Sequence, residues 1–238
     1  MKRTLAIELI LLLLSLPAFA QQPAVAAKPD SAHPAQAAKT IPSSQFVWAN
    51  LMAGNKRFVS GKPKAHNVVA LRSSLAGSQH PNVVVLACAD SRVAPELLFD
   101  QSLGDLFVVR AAGNIADAIG VGSIEYAVEH LGSSVLVVLG HTKCGAVTAA
   151  CSGEKMDTSN LQAMVDKISP AVAQAGASLK GDALIEAAIK ENVHRSAKDV
   201  LASSEVLRHF VEDGKLTVVE AEYHLDTGEV TRLDGARQ

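Results

Sequence analysis

The chain has 238 residues, 48% of them hydrophobic and 19% charged, which is typical of one globular domain of about 200 residues. Its 22 Lys and Arg against 24 Asp and Glu give a formal charge of −2, so nothing attracts it to nucleic acid or to anionic lipid. Three cysteines are too few for a disulfide scaffold.

The first twenty residues are predicted to be a signal peptide, 1–20, that is removed on export. Lys2 and Arg3 precede an apolar run, and Pro17-Ala18-Phe19-Ala20 is the small-x-small pattern expected at a cleavage site. The apolar run is shorter than the roughly 20 residues of a membrane span, which argues against an uncleaved anchor. We therefore expect an exported protein with no stable membrane anchor, periplasmic if the host is Gram-negative.

Residues 21–42 are mostly Ala, Pro, Gln, Lys and Ser, with almost no large apolar side chains. Such a segment cannot bury enough surface to offset the entropy lost on ordering, so we expect a flexible linker. The remaining 43–238 is expected to be one folded domain.

This domain shows strands alternating with helices. Helical spacing and short apolar, β-branched runs predict, in chain order, a helix at 44–60, strands at 83–88 and 106–109, a helix at 122–131, a strand at 135–139, helices at 144–152, 158–175, 181–203 and 204–212, and a closing strand at 216–225. Apolar strands between helices indicate an α/β fold with a mostly parallel sheet covered by helices on both faces.

Two of the predicted strands end in side chains that bind transition metals. Cys88 ends the first strand, and His141 and Cys144 follow the third. In open α/β sheets, sites form beyond the carboxyl ends of strands. Two thiolates and one imidazole suit zinc, and three protein ligands leave a fourth tetrahedral position open, as in catalytic sites. The alternative is a Cys88–Cys144 disulfide, since exported proteins meet an oxidising environment.

A carboxylate and a guanidinium, Asp90 and Arg92, lie beside this candidate site. Residues two apart on an extended stretch point to the same side. Asp90 therefore has three candidate roles: metal ligand, hydrogen-bond acceptor from a metal-bound water, or salt-bridge partner of Arg92. Pairing with Arg92 would keep Asp90 ionised and direct its free oxygen toward the metal.

Together, Cys88-x-Asp90-x-Arg92 and His141-x-x-Cys144-Gly145 resemble the motifs of the β-class carbonic anhydrases. Supporting similarity runs through Gly104-Asp105-Leu106-Phe107-Val108-Val109-Arg110, Gly113-Asn114 and Ser123-Ile124-Glu125-Tyr126-Ala127-Val128. The resemblance implies the β-carbonic anhydrase fold and a lyase that reversibly hydrates carbon dioxide to bicarbonate and a proton. It implies one Zn²⁺ per subunit, held by Cys88, His141 and Cys144, and a zinc-bound hydroxide oriented by the Asp90–Arg92 dyad. The catalytic domain would be 43–238.

The same resemblance implies a substrate pocket and self-association. Gln79 corresponds to the family's substrate glutamine, and Phe107, Ala112 and Tyr126 fall at its carbon dioxide pocket, with Gly145 beside them. Family members are dimers or tetramers with sites at the subunit interface. Gln79 and Tyr126 would then serve the metal of the neighbouring chain.

One difference from part of the family concerns regulation. The allosteric subgroup has a tryptophan where this chain has Val85, although Arg110 matches the arginine of that subgroup's bicarbonate site. The resemblance therefore implies the non-allosteric subtype, with water rather than Asp90 on zinc at neutral pH.

Three other functions stay open on the sequence. A hydrolase of carbon disulfide or carbonyl sulfide would keep the same fold and zinc ligands. A non-enzymatic zinc or redox protein would need a fourth protein ligand or a disulfide. A dinucleotide-binding enzyme is disfavoured, because no Gly-x-Gly-x-x-Gly follows the first strand.

Overall fold

The computed structural model describes residues 43–233, so the predicted signal peptide and linker lie outside the described residues. Five strands form one sheet: β1 (Val83–Ala87), β2 (Leu106–Arg110), β3 (Val135–His141), β4 (Thr217–Tyr223) and β5 (Val230–Arg232). Their order is β2-β1-β3-β4-β5, and all neighbours are parallel except the antiparallel edge pair β4 and β5. The predicted α/β fold with a mostly parallel sheet is confirmed.

Eight α-helices accompany the sheet in the described part of the chain. They are α1 (Ser44–Val59), α2 (Val68–Ser74), α3 (Pro95–Leu98), α4 (Ala118–Glu125), α5 (Gly145–Ser152), α6 (Ser159–Ala175), α7 (Gly181–Ser203) and α8 (Glu205–Glu212). A 3₁₀ turn spans Ala112–Asn114, and a π-helical turn, Tyr126–His130, extends α4. Within residues 43–233 no helix has both the length and the apolar character needed to cross a membrane.

Several elements differ from the sequence-based expectation: one helix begins earlier, and α2, α3 and β5 were not predicted. The helix predicted at 122–131 begins earlier, because the Asp117 carboxylate caps it by accepting from the N–H groups of Ile119 and Gly120. The short helix α2 was not predicted, since it buries no residue and so leaves no apolar periodicity. Strand β5 was also not predicted: it has three residues, of which only Val230 is buried.

Both faces of the sheet are covered, as the burial of every residue in β1 and β3 requires. Alternate residues of β1 serve opposite faces: Val85 belongs to the core that contains Leu51 of α1, whereas Leu86 belongs to the core that contains Ile124 of α4 and Val193 of α7. Helix α1 lies so close to the chain after α3 that a Cβ on Gly54 would stand 1.7 Å from a backbone oxygen of Phe99.

Parallel pairing brings the ends of β1 and β3 to one edge of the sheet. Ala87 pairs with Leu139, so Cys88 and His141 emerge from neighbouring strands just beyond this register position. The chain adds β2 on one side of β1 and β3 on the other. Ligand sites of open α/β sheets form where the strand order reverses in this way.

Candidate metal centre

Three buried side chains converge at this edge, and we call Cys88, His141 and Cys144 the cysteine–histidine triad. Their exposed fractions are 4%, 0% and 1%. The sulfurs and a ring nitrogen all lie within 4.8 Å of one another. Ligands about 2.0–2.3 Å from a shared zinc ion stand about 3.5 Å apart, so the triad is compact enough to hold one ion. Both cysteines have free thiols rather than a disulfide.

The ring of His141 is oriented as a metal ligand would be. Its Nδ1 lies 2.9 Å from the carbonyl oxygen of Thr142. Because a carbonyl only accepts, Nδ1 carries a proton, and in the neutral ring Nε2 presents a lone pair. Nε2 is buried and has no hydrogen-bond partner among the described residues, an arrangement that costs about 1–3 kcal/mol if nothing binds there. A metal ion at the triad would give this nitrogen its partner.

The two sulfurs of the triad differ in charge when no metal is bound. A hydrogen bond with the Cys144 thiol lowers the pKa of Cys88 against the opposing effect of burial, and the neighbouring His141 ring and a backbone N–H lower it further. The same sulfur–sulfur contact, together with burial, raises the pKa of Cys144. The contact therefore favours one proton shared by the two sulfurs, so that one sulfur has the thiolate character that metal binding needs.

Arg110 fixes the chain segment that carries Cys88 and Asp90. Its Nε donates to the Cys88 carbonyl at 3.0 Å, and its Nη2 donates to the Asp90 carbonyl at 2.7 Å. The sequence singled out Arg110 only as a match to the arginine of an allosteric site. Two of its donors instead hold the backbone between β1 and α3.

Asp90 and Arg92 form a two-point ion pair beside the triad. Arg92 donates from Nε to Oδ1 at 2.9 Å and from Nη2 to Oδ2 at 2.7 Å, and its backbone N–H donates to Oδ1 at 2.9 Å. These bonds hold the pKa of the Asp90 carboxyl well below its usual range. Oδ2 also lies 3.9 Å from Nε2 of His141, so the ionised carboxylate faces the triad.

The expected pocket residues are only partly brought together within one chain. The rings of Phe107 and Tyr126 are 6.3 Å apart, and Tyr126 is 48% exposed. Ala112 lies half-buried in the 3₁₀ turn, and Gly145 is the first residue of α5, next to Cys144. Gln79 is exposed in the loop before β1, and its side chain makes no hydrogen bond within the described residues.

Similarity to known proteins agrees with this geometry. Residues 83–230 match the family model described as carbonic anhydrase. Carbonic anhydrase 2 of Mycobacterium tuberculosis is 38% identical over 192 residues, which cover 79% of this chain and 92% of that protein. The carbonic anhydrase of Mycolicibacterium smegmatis is 36% identical over 196 residues, which cover 80% of this chain and 94% of that protein.

Solved structures of β-carbonic anhydrases are similar to this chain as well. The β-carbonic anhydrase CafA of Aspergillus fumigatus superposes with a TM-score of 0.65 at 28% identity, covering 82% of this chain and 93% of that one. The Coccomyxa β-carbonic anhydrase, solved in complex with acetazolamide, superposes with a TM-score of 0.63 at 27% identity and covers 80% of this chain and 85% of that one.

Proposed function

This chain belongs to the β-class carbonic anhydrases, and from that premise we propose that it hydrates carbon dioxide reversibly through one zinc ion per subunit held by Cys88, His141 and Cys144. The observation that carries the proposal is the buried, partnerless Nε2 of His141 facing two free sulfurs. Bound there, zinc supplies Lewis-acid activation of water, which lowers the pKa of water to about 7 in the established example of the three-histidine carbonic anhydrases.

Asp90 orients the attacking water in this proposal. Its Oδ2, near Nε2 of His141, accepts the hydrogen bond of that water, so an oxygen lone pair is directed at the carbon of carbon dioxide. Arg92 holds both carboxylate oxygens and keeps Asp90 ionised. Because both oxygens already accept from Arg92, the pairing favours a carboxylate that stays off the metal. Val85 and the engagement of Arg110 with the backbone support the same non-allosteric subtype.

Carbon dioxide is small and apolar, so its pocket needs apolar walls rather than charge. Phe107, Ala112 and Tyr126 supply such walls in our proposal. The start of α5 borders open space, since a Cβ built on Gly145 would meet nothing within 4 Å apart from its chain neighbours and its own helix. The product bicarbonate needs a hydrogen-bond donor, and the amide of Gln79 is the proposed one.

We propose that Gln79 and Tyr126 reach the site of a second copy of the chain. Large apolar side chains lie exposed on the single chain, with exposed fractions of 66% for Phe46, 67% for Leu97 and 79% for Ile119. Association with a second copy would remove such side chains from water, and a symmetric dimer would do so in both copies.

Mixing two inactive variants tests this arrangement. Cys88→Ser subunits lack the metal site and Gln79→Ala subunits lack the donor, so a mixed dimer has one complete site. Exchange of equal amounts should restore about one quarter of wild-type activity. No recovery, with subunit exchange demonstrated by native mass spectrometry, would contradict a shared site.

We further propose that residues 1–20 direct export and that 43–238 is the catalytic domain. The proposal is supported by the basic start, apolar run and small-x-small pattern of the sequence. Expression of the full chain in a Gram-negative host should give a periplasmic protein whose intact mass corresponds to a chain that begins at Gln21. An intact amino terminus in the cytoplasmic fraction would contradict it.

Single substitutions test the metal assignment. Cys88→Ser and His141→Ala should each remove bound zinc and carbon dioxide hydration together, because zinc needs both ligands. Cys151→Ser is the matched control: it replaces the third cysteine, outside the triad, and should retain both. Zinc content and activity at wild-type levels in Cys88→Ser would overturn the assignment.

A further inference from the structure

A buried amide of α7 lies behind one sulfur of the triad. Asn192 is 1% exposed, and its Nδ2 donates to the carbonyl oxygen of Gly113 at 2.7 Å. The N–H of Gly113 in turn donates to Sγ of Cys88 at 3.2 Å. Two successive hydrogen bonds therefore connect α7, through one glycine, to a sulfur that we assign to the metal.

The turn that carries this N–H has an unfavourable backbone conformation. Gly113 has φ +73° and Asn114 has φ +45°, so two consecutive residues lie in the left-handed region. Any other residue at the first position would be strained by this φ, and its Cβ would lie 2.7 Å from Cδ1 of the buried Ile168, which would have to shift. A hydrogen bond from outside the turn is a direct way to hold such a segment, and Asn192 provides it.

Stability alone does not explain an amide at this position. Oδ1 of Asn192 and Nδ2 of Asn114 are buried without a hydrogen-bond partner among the described residues. The one contact between the two side chains, from Asn192 Nδ2 to Asn114 Oδ1, is long at 3.4 Å. Buried polar atoms without partners destabilise a fold, and an apolar residue would avoid that cost. The hydrogen bond to the Gly113 carbonyl is therefore the reason for an amide at position 192.

We propose that Asn192 is a positioning residue of the metal centre, which holds Gly113 so that its N–H stays on the Cys88 sulfur. A hydrogen bond to a thiolate withdraws electron density from the sulfur and limits the charge that it donates to a metal. Asn192 would thus influence both the placement of Cys88 and the electronic character of the site. The inference rests on the proposed metal site.

Cobalt(II) bound in place of zinc tests the inference, because thiolate-to-cobalt charge-transfer absorption reports on the sulfur itself. Asn192→Leu removes the donor and keeps the same number and branching of side-chain heavy atoms. We expect the charge-transfer band to move to longer wavelength, since a thiolate without its hydrogen bond is a better electron donor. We also expect the cobalt dissociation constant to rise about 10- to 100-fold, as is usual when a group supporting a metal ligand is removed.

Asn55→Leu is the matched control. Asn55 is another buried amide that holds backbone, since it donates to the carbonyls of Leu98 and Gly228 and accepts from the N–H of Val230, and none of these is a triad residue. This variant should lose folding stability yet keep the wild-type band and affinity. A similar spectral shift in Asn55→Leu would show a general loosening and overturn the proposal.

The remaining outcomes are also decisive. An unchanged band and affinity in a folded Asn192→Leu would overturn the role of Asn192. If Asn192→Leu does not fold, Asn192→Ser is judged by the same two criteria, because its hydroxyl is too short to reach the Gly113 carbonyl. A wild-type protein whose cobalt form has no thiolate band would instead refute the metal site itself.

Discussion

Replacing Asp90 with asparagine separates the chemical role of this carboxylate from its structural one. The substitution keeps the size of the side chain but removes its charge and weakens both side-chain bonds from Arg92, at 2.9 and 2.7 Å. The Arg92 side chain is 54% exposed, so solvent screens the pair and its contribution to stability is at most about 1 kcal/mol. We expect the free energy of unfolding of Asp90→Asn to fall by no more than that amount.

The expected loss of activity is far larger. Misplacing an attacking atom by about 1 Å costs about 100-fold in rate, so kcat for carbon dioxide hydration should fall about 100-fold when the orienting carboxylate is lost. Zinc content should stay at the wild-type level, because the triad is untouched. Since Arg92 keeps the pKa of Asp90 well below its usual range, the wild-type carboxylate is ionised throughout about pH 6–9, and the loss should be similar across that range.

Stopped-flow hydration with a pH indicator, zinc analysis and denaturant unfolding on the same preparations measure these quantities. Asp213→Asn is the matched control, because Asp213 pairs at 2.7 Å with Lys215, also two residues away, on an exposed surface outside the site. It should leave activity unchanged. Activity of Asp90→Asn within about threefold of wild type would refute the assigned role.

Three further predictions concern the metal, acid stability and packing. Because the two triad cysteines share a proton in the metal-free protein, zinc binding near pH 8 should release about one proton. Calorimetry in buffers of different ionisation enthalpy measures this release. Zinc binding without proton release would contradict the prediction. Asp100→Asn should lower the free energy of unfolding by about 3 kcal/mol at pH 7, because the buried carboxylate pairs with Arg57. Burial alone would raise the pKa of Asp100, but the hydrogen bonds from Arg57 and from a backbone N–H lower it. A lowered folded pKa means that this stabilisation is present above the unfolded pKa of about 4 and is lost as pH falls below it, so the difference between wild type and variant in urea unfolding should shrink in acid. Gly54→Ala would stabilise an exposed helix by about 1 kcal/mol. Here we expect it to destabilise the protein by about 2 kcal/mol or more, because the new Cβ would overlap the Phe99 carbonyl. A raised Tm would refute this packing argument.

The sequence was sufficient for the fold class and for the geometry of the triad because both depend on local signals. Unbroken apolar runs mark β1 and β3 as strands buried on both faces. The structure shows that β1 pairs with β3, and this parallel pairing brings their ends, and so Cys88 and His141, together. The spacing of Asp90 and Arg92 likewise anticipated their pairing, since the two residues are only two apart.

Contacts between distant parts of the chain were not accessible in the same way. Asn192 reaches Gly113 across 79 residues, and nothing in its own helix distinguishes it from any other buried polar residue. Arg110 was noted only as a match to another arginine, because a sequence does not show which donors of a guanidinium are occupied by backbone carbonyls. The Gly113-Asn114 pair after β2 was the one available signal, since such a pair favours a left-handed turn.

The central claim is that Arg92 holds Asp90 away from the metal. The pH profile of carbon dioxide hydration by the zinc-loaded mature protein, between about pH 7 and 9, tests this claim most directly. We predict that turnover is already fast near about pH 7.5 and changes gradually above it. Turnover that is absent at neutral pH and rises steeply only above about pH 8 would show that Asp90 occupies the metal, and would contradict the account.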